Sequence, residues 1–202
     1  MAVYDYLTLT MKRGPAARGA FVKRLGAAGL AEGGKVVGLF TPQLGWEASH
    51  AALLVERGDP AALQTLSNAP EVLSCEAHEL APTIRPTPGA VLTTGGIYVH
   101  RWFEVDGSTF DEFIALSAEA WPDFESRFDA RIFGLFDLTS PRPGDAPGHR
   151  HLLLVTRYAS HGVWEDSRDP STAAMQTFAR RALLTLSTRA ASTLLVFPPA
   201  AA

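Results

Sequence analysis

Gly38-Leu39-Phe40 recurs as Gly134-Leu135-Phe136, and this repeated tripeptide is the first evidence for the fold. Three further segments repeat in the same order along the 202-residue chain. They are Leu53-Leu54-Val55 with Leu153-Leu154-Val155, Asp59-Pro60 with Asp169-Pro170, and residues 61–66 with 173–178. The offset grows from 96 residues (38 to 134) to 112 residues (61 to 173), so insertions fall between the matched segments, where loops tolerate them. The sequence therefore predicts an internal duplication.

The composition bounds the class of protein. Apolar residues make up 47% of the chain and charged residues 19%, which is enough apolar material for packed cores. The formal net charge of −3 provides no basic face for nucleic acid. Cys75 is the only cysteine, so no disulfide can form within the chain, and no apolar run is long enough to span a membrane. Without a signal-peptide pattern at its start, the chain is expected in the cytoplasm.

The first copy shows the order strand, helix, strand, strand, helix, strand. Residues 3–11 alternate Tyr and Thr with Leu and Met, the two-residue period of a half-buried strand. Pro15 suits the first turn of a helix, and Asp59-Pro60 places a cap before a second helix that runs through Leu66. The remaining strands are predicted at residues 36–41, 51–57 and 72–80.

The second copy is predicted to follow the same order. Ser108 and Asp111 form a variant of the capping box before a helix. The apolar face of that helix is Phe110, Phe113, Ile114 and Trp121. Strands are predicted at residues 97–105, 131–138, 151–158 and 193–197, with a long helix over 169–188.

Each copy thus reads as a ferredoxin-like unit. The predicted boundaries are a first repeat over 1–81, a Pro-rich linker over 82–94 and a second repeat over 95–202. Helices cover only one face of each sheet, so the other face needs a second sheet. The predicted fold class is α+β, with two tandem ferredoxin-like (βαββαβ) units whose antiparallel sheets face each other and form an α/β barrel.

These features resemble the NIPSNAP family of the dimeric α/β-barrel superfamily. The resemblance rests on the aromatic first strand Tyr98-Val99-His100-Arg101-Trp102-Phe103, on Gly-Leu-Phe in each copy, and on Arg157-Tyr158 before Trp164. The first copy departs from it, since Gly58 follows Arg57. The resemblance implies a barrel and a homodimer. Relatives in the superfamily include cofactor-independent monooxygenases, haem-using enzymes and isomerases, so it selects no single reaction.

Several motifs resemble cofactor or metal sites but lack a residue or spacing that such sites require. Residues 29–35 nearly spell a phosphate-binding loop, but Val36 stands where Ser or Thr is required, and the loop precedes a strand instead of a helix. His149 and His151 could form a metal pair, but no third ligand is identifiable, so no metal site is predicted. Haem is a possible cofactor, although none of the six histidines has a diagnostic spacing.

The best candidate site is the polar and aromatic face of the two first strands. Leu and Val on the opposite face suit contact with helices. The site face is predicted to consist of Tyr4, Tyr6, Tyr98, His100, Trp102 and Glu104. These side chains either line a small-molecule pocket between the sheets or fill the barrel. In an enzyme, His100 would transfer a proton, because its ordinary pKa lies near neutrality, and Glu104 would orient or share that proton.

Arg157 and Tyr158 are predicted as further ligand contacts. Arg157 could bind a carboxylate or pair with an acidic neighbour such as Asp137. The favoured function is binding of a small, partly apolar molecule between the sheets. One alternative is an oxygenase or isomerase acting on an aromatic substrate, with or without haem, and another is an assembly scaffold with a filled barrel.

Overall fold

The structure is a computed structural model that describes residues 3–27, 34–58, 60–140 and 146–198. Its strands are β1 (Tyr4–Met11), β2 (Lys35–Leu44), β3 (His50–Glu56), β4 (Val72–Pro82), β5 (Ile97–Asp106), β6 (Ala130–Leu138), β7 (His149–Tyr158) and β8 (Thr185–Phe197). Its helices are α1 (Pro15–Ala27), α2 (Pro60–Ser67), α3 (Phe110–Arg127), α4 (His161–Asp166) and α5 (Ala173–Ala182).

The eight strands form a closed antiparallel barrel in the order β1-β3-β2-β8-β5-β7-β6-β4. Within it, β4-β1-β3-β2 and β8-β5-β7-β6 are two sheets with the same internal order, as in two ferredoxin-like units. The pairs β2 with β8 and β4 with β6 join the sheets into one barrel. The predicted fold class is therefore confirmed.

The alternation along β1 and β5 separates the barrel interior from the helical layers. Leu7, Leu9 and Met11 pack in a cluster that includes α1 residues, and Phe103 packs against Phe113 of α3. The opposite faces of β1 and β5 point into the barrel. Their side chains belong to an interior cluster with Phe40, Leu54, Phe136 and Leu153. This division is the one predicted from the two-residue period.

The repeated Gly-Leu-Phe tripeptide has a packing reason in both copies. A Cβ on Gly38 would stand 3.0 Å from the ring of Phe40, and a Cβ on Gly134 would stand 2.7 Å from the ring of Phe136. Each phenylalanine therefore folds back over the glycine two residues before it. The register of both strands also shifts just before the glycine, which is characteristic of a β-bulge.

The Pro-rich segment after β4 packs against the barrel. Pro86 and Leu92 are buried. Leu92 Cδ1 would lie 2.6 Å from a Cβ on Gly38, and Pro86 Cδ 2.7 Å from one on Gly134. Arg85 also continues the sheet, since its carbonyl accepts a hydrogen bond from the N–H of Leu135. The segment thus covers one end of the barrel instead of only spacing the two units.

The predicted long helix over 169–188 is wrong. Helix α5 ends at Ala182, and β8 begins at Thr185 and pairs with β5 from Tyr98 to Val105. Residues 185–193 are rich in Ser and Thr, which favour neither a helix interior nor burial, and pairing with β5 satisfies their backbone groups. Helix α4 was not predicted, although Ser160 is a typical cap whose hydroxyl accepts the N–H of Val163.

The cap before α3 differs from the predicted one. Asp106 caps the turn before α3 by accepting hydrogen bonds from the N–H and hydroxyl of Ser108, so the predicted Ser108–Asp111 capping box is wrong. The predicted cap Asp59, like most of the phosphate-loop-like segment, lies outside the described residues.

Candidate functional site

The barrel interior brings together five of the predicted site residues. Tyr4, Tyr6, Tyr98, His100 and Trp102 are all buried. Their rings meet mostly edge to face, with Tyr6 and Trp102 centroids 5.2 Å apart and Tyr4 and Phe136 centroids 5.2 Å apart. Such contacts stabilise aromatic pairs beyond the area they bury. In the described structure these side chains pack against one another.

A buried hydrogen bond joins the two units at the centre of this set. The Oη of Tyr6, on β1, lies 2.7 Å from Nδ1 of His100, on β5. Phe40 stands edge-on to the imidazole with centroids 4.5 Å apart, and Trp46 does so at 5.7 Å. We call Tyr6, Phe40, Trp46, His100 and Trp102 the His100 site.

Burial sets the protonation of this pair. His100 has no solvent exposure, and burial lowers its pKa to about 3, so the imidazole is neutral at neutral pH. Burial also holds the pKa of Tyr6 well above its ordinary value, although the positive charge of Arg189 acts in the opposite direction. The predicted proton-transfer role rested on a pKa near neutrality, and that reason does not apply to a histidine in this environment.

His100 keeps one unused polar atom. Tyr6 donates its hydroxyl hydrogen to Nδ1 in the tautomer that leaves a hydrogen on Nε2. That Nε2 is buried and has no hydrogen-bond partner among the described residues. Buried polar atoms are nearly always paired, and leaving one unpaired costs about 1–3 kcal/mol. The Nε2–H of His100 is therefore available to donate to a bound molecule.

Trp46 is a site residue that sequence reasoning missed. It lies half-buried in the turn between β2 and β3. Gly45 has a φ of +87°, and a Cβ there would stand 2.6 Å from the carbonyl oxygen of Ala190, so the turn requires glycine. The only sequence signal was the Gly45-Trp46 pair between two predicted strands, at residues 36–41 and 51–57.

Glu104 is not the partner of His100. Its carboxylate accepts hydrogen bonds from Ser187, at 2.8 Å, and from His149 Nδ1, at 2.7 Å. Ser187 and then His149 lower the pKa of Glu104 below its ordinary value. Glu104 thus faces the barrel end where β5 finishes, whereas Tyr6 orients His100.

Arg157 and Tyr158 lie on opposite faces of β7. Arg157 pairs with Asp129, at 2.8 Å, and not with Asp137, which pairs with Arg150. Arg157 and Tyr98 both line a cavity of about 300 Å³ at the barrel end covered by the Pro-rich segment. Tyr158 packs in the helical layer, where its Oη accepts a hydrogen bond from Arg168.

The structure brings no metal-binding set together among its described residues: no group of three His, Cys, Asp or Glu side chains is placed to hold an ion. His149 and His151 both lie on β7. No helix in the described ranges is long and apolar enough to cross a membrane.

No protein-family model matches the chain, and no curated protein sequence matches it. Solved structures do. An anthrone oxidase-like protein shares 12% identity with a TM-score of 0.68, covering 100% of this chain and 97% of its own.

Two Listeria monocytogenes proteins also share the fold. A heme-degrading enzyme has 11% identity and a TM-score of 0.54, covering 93% of this chain and 97% of its own. A ferredoxin-fold protein related to antibiotic biosynthesis monooxygenases has 12% identity and a TM-score of 0.51, covering 96% and 94%. The chain shares with these proteins the fold of two ferredoxin-like units whose sheets form one barrel.

Proposed function

We propose that this protein is a cofactor-independent oxygenase-type barrel that binds a small aromatic ketone or phenol at the His100 site. The observation that carries the proposal is the buried Nε2 of His100, which has no partner among the described residues and lies in an aromatic cage. The fold is shared with an anthrone oxidase-like protein and with a relative of antibiotic biosynthesis monooxygenases, which supports this reaction class.

The ligand would enter where Trp46 covers His100. Trp46 belongs to a turn and is half-buried, whereas Tyr6 and Phe40 are held on strands and have no exposure. Displacing the indole would give an aromatic ligand the ring contacts that Trp46 now makes with His100. Trp46 is thus the side chain that opens the site.

His100 would act as a neutral hydrogen-bond donor. A carbonyl oxygen placed at Nε2–H gains negative charge when the methylene carbon conjugated with it through the rings loses a proton to water, and a donor fixed in a dry site stabilises that charge strongly. The low pKa of the imidazole suits this role, since a neutral ring donates without placing a net charge among aromatic side chains. Tyr6 fixes the tautomer through Nδ1.

Haem does not fit beside His100. Phe40, held on a strand, stands 4.5 Å from the imidazole, so only Trp46 can move away from it. An axial histidine needs free space at a ring nitrogen for a macrocycle much larger than the one indole that Trp46 would vacate. The proposed reaction therefore uses no haem at this residue.

Anthrone, a tricyclic aromatic ketone, is the test substrate. Its oxidation consumes one O₂, converts the methylene carbon to a carbonyl and releases one water, which gives anthraquinone. Oxygen uptake and anthraquinone formation are measured with purified protein against a protein-free blank. We expect catalysed turnover, and His100→Phe should lower kcat/KM by about 100-fold or more, because it removes a donor to the developing oxyanion.

Tyr98→Phe is the matched control. Tyr98 is another interior tyrosine, but its hydroxyl donates to the carbonyl of Thr93 near the covered barrel end. It should retain activity, whereas Tyr6→Phe should lose about tenfold or more because Nδ1 loses its donor. Equal activity of wild type and His100→Phe, or no turnover above the blank, would refute the proposal.

The packed interior also favours the assembly scaffold. Leu44, Leu183 and Leu194 are exposed on the outer surface, and Leu183 is 86% exposed. Exposed apolar side chains of this kind are compatible with a partner surface. This second candidate becomes the stronger one if no small aromatic molecule binds.

We further infer membership of the NIPSNAP family, a homodimer and a cytoplasmic location, which rest on the sequence resemblance. Sedimentation at micromolar concentration tests the dimer: a 21.7 kDa monomer would contradict it.

A further inference from the structure

A second cavity lies outside the barrel, between the outer face of the second sheet and α5. Its volume is about 240 Å³. Three arginines from three different segments line it: Arg101 of β5, Arg168 after α4, and Arg181 of α5. The other lining residues are apolar or hydroxyl-bearing, and they include Phe124, Ile132, Tyr158, Met175 and Phe178. No Asp or Glu is among the described residues that line it. We call this site the arginine cavity.

Arg181 is a buried cation without a carboxylate partner in the described structure. It is only 4% exposed. Its Nη1 donates to the hydroxyl of Ser117 at 3.0 Å, and that hydroxyl donates to a backbone carbonyl. The guanidinium also lies over the ring of Phe178, 4.6 Å from its centroid. These contacts solvate the charge but do not neutralise it.

The other two arginines add charge to the same space. Arg168 donates from Nη2 to the Oη of Tyr158 at 3.2 Å, while its Nε is buried without a partner in the described ranges. Arg101 makes no hydrogen bond or ion pair with any described residue. Burial, followed by the positive charges of Arg101 and Arg168, lowers the pKa of Arg181 to about 9, so it stays protonated at neutral pH.

Three cations around a cavity without a counter-charge are costly unless an anion is bound. Surface arginines avoid this cost by facing water, but Arg181 cannot. The remaining walls suit an apolar body, since Phe124, Phe178, Met175 and Ile132 all face the cavity. The cavity volume lies below the roughly 300–1,000 Å³ typical of sites for drug-sized molecules, so the ligand must be small.

We propose that the arginine cavity binds a small aromatic carboxylate, with the carboxylate held by Arg101, Arg168 and Arg181 and the ring against the phenylalanines of α3 and α5. Planar guanidinium groups match carboxylate geometry. The aromatic walls would contact the ring of an aromatic carboxylate, and an inorganic anion has no such ring. The site is separate from the His100 site, because the second sheet lies between them.

Benzoate is the probe, with the full-length protein. Isothermal titration should show saturable binding, and benzoate should raise the melting temperature more than sodium chloride at equal ionic strength. Arg101→Met should weaken binding about tenfold or more, as expected for loss of a charge-assisted hydrogen bond. Arg101 is half-buried, so Arg101→Met should fold even if Arg181→Met does not.

Arg180→Met is the matched control. Arg180 precedes Arg181 on α5 but faces outward, where it pairs with Glu119. It should bind benzoate like the wild type, and so should His100→Phe, which separates this proposal from the oxygenase proposal. Benzyl alcohol, which has the ring without the charge, should not compete.

Three results would overturn the proposal. They are absence of saturable benzoate binding, equal binding by wild type and Arg101→Met, and inorganic phosphate binding as tightly as benzoate. The last result would show an anion site that makes no use of the aromatic walls.

Discussion

At the scale of single residues, the repeated glycines are explained by their neighbours. A Cβ on Gly134 would lie 2.7 Å from both the Phe136 ring and Pro86. Gly134→Ala should therefore lower the free energy of unfolding by about 1–3 kcal/mol, because one of those groups must move. Urea melts measure this change.

Gly19→Ala is the control for that prediction. Gly19 lies in α1, and no atom comes within 4 Å of its added Cβ. This variant should be about 0.5–1 kcal/mol more stable than the wild type, because alanine has the higher helix propensity. A Gly134→Ala variant as stable as Gly19→Ala would show that the Phe136 ring does not require the glycine.

At the scale of elements, the sequence predicted the strands that have a clear two-residue period. It missed elements whose structure depends on pairing with residues far away in the chain. The alternation in residues 3–11 predicted β1 and the face that enters the barrel. Strand β8 has no such alternation, since residues 185–193 are mostly small and polar, and pairing with β5 across 80 residues of chain decides its structure. Trp46 was missed for a related reason, because only the folded turn brings it to His100.

The Pro-rich segment places one leucine in the barrel interior. Leu92 is 8% exposed and packs in the interior cluster, whereas its neighbour Val91 is 70% exposed. Leu92→Ala should cost about 2–4 kcal/mol of stability, and Val91→Ala less than about 0.5 kcal/mol. Chemical denaturation of both variants tests this, and equal small losses would mean that the segment is only a spacer.

At the scale of the whole molecule, duplication determines the barrel, and the differences between the copies determine the candidate site. The repeat predicted two sheets of the same order facing each other, which the strand order confirms. It could not predict the site chemistry, because Tyr6 and His100 come from different copies and meet only when the barrel closes. The arginine cavity likewise draws on three separate segments that share no sequence motif.

The most direct test of the central claim is the nitrogen NMR spectrum of the His100 side chain, assigned through His100→Gln and followed with and without anthrone. We expect a neutral imidazole whose signals stay constant from pH 8 to about pH 5, because burial lowers the pKa of His100 to about 3. We also expect the Nε2 signal to move saturably as anthrone is added. An imidazole that titrates near pH 6.5, or a His100 signal that anthrone leaves unchanged, would contradict the claim that His100 is the buried neutral contact for an aromatic ligand.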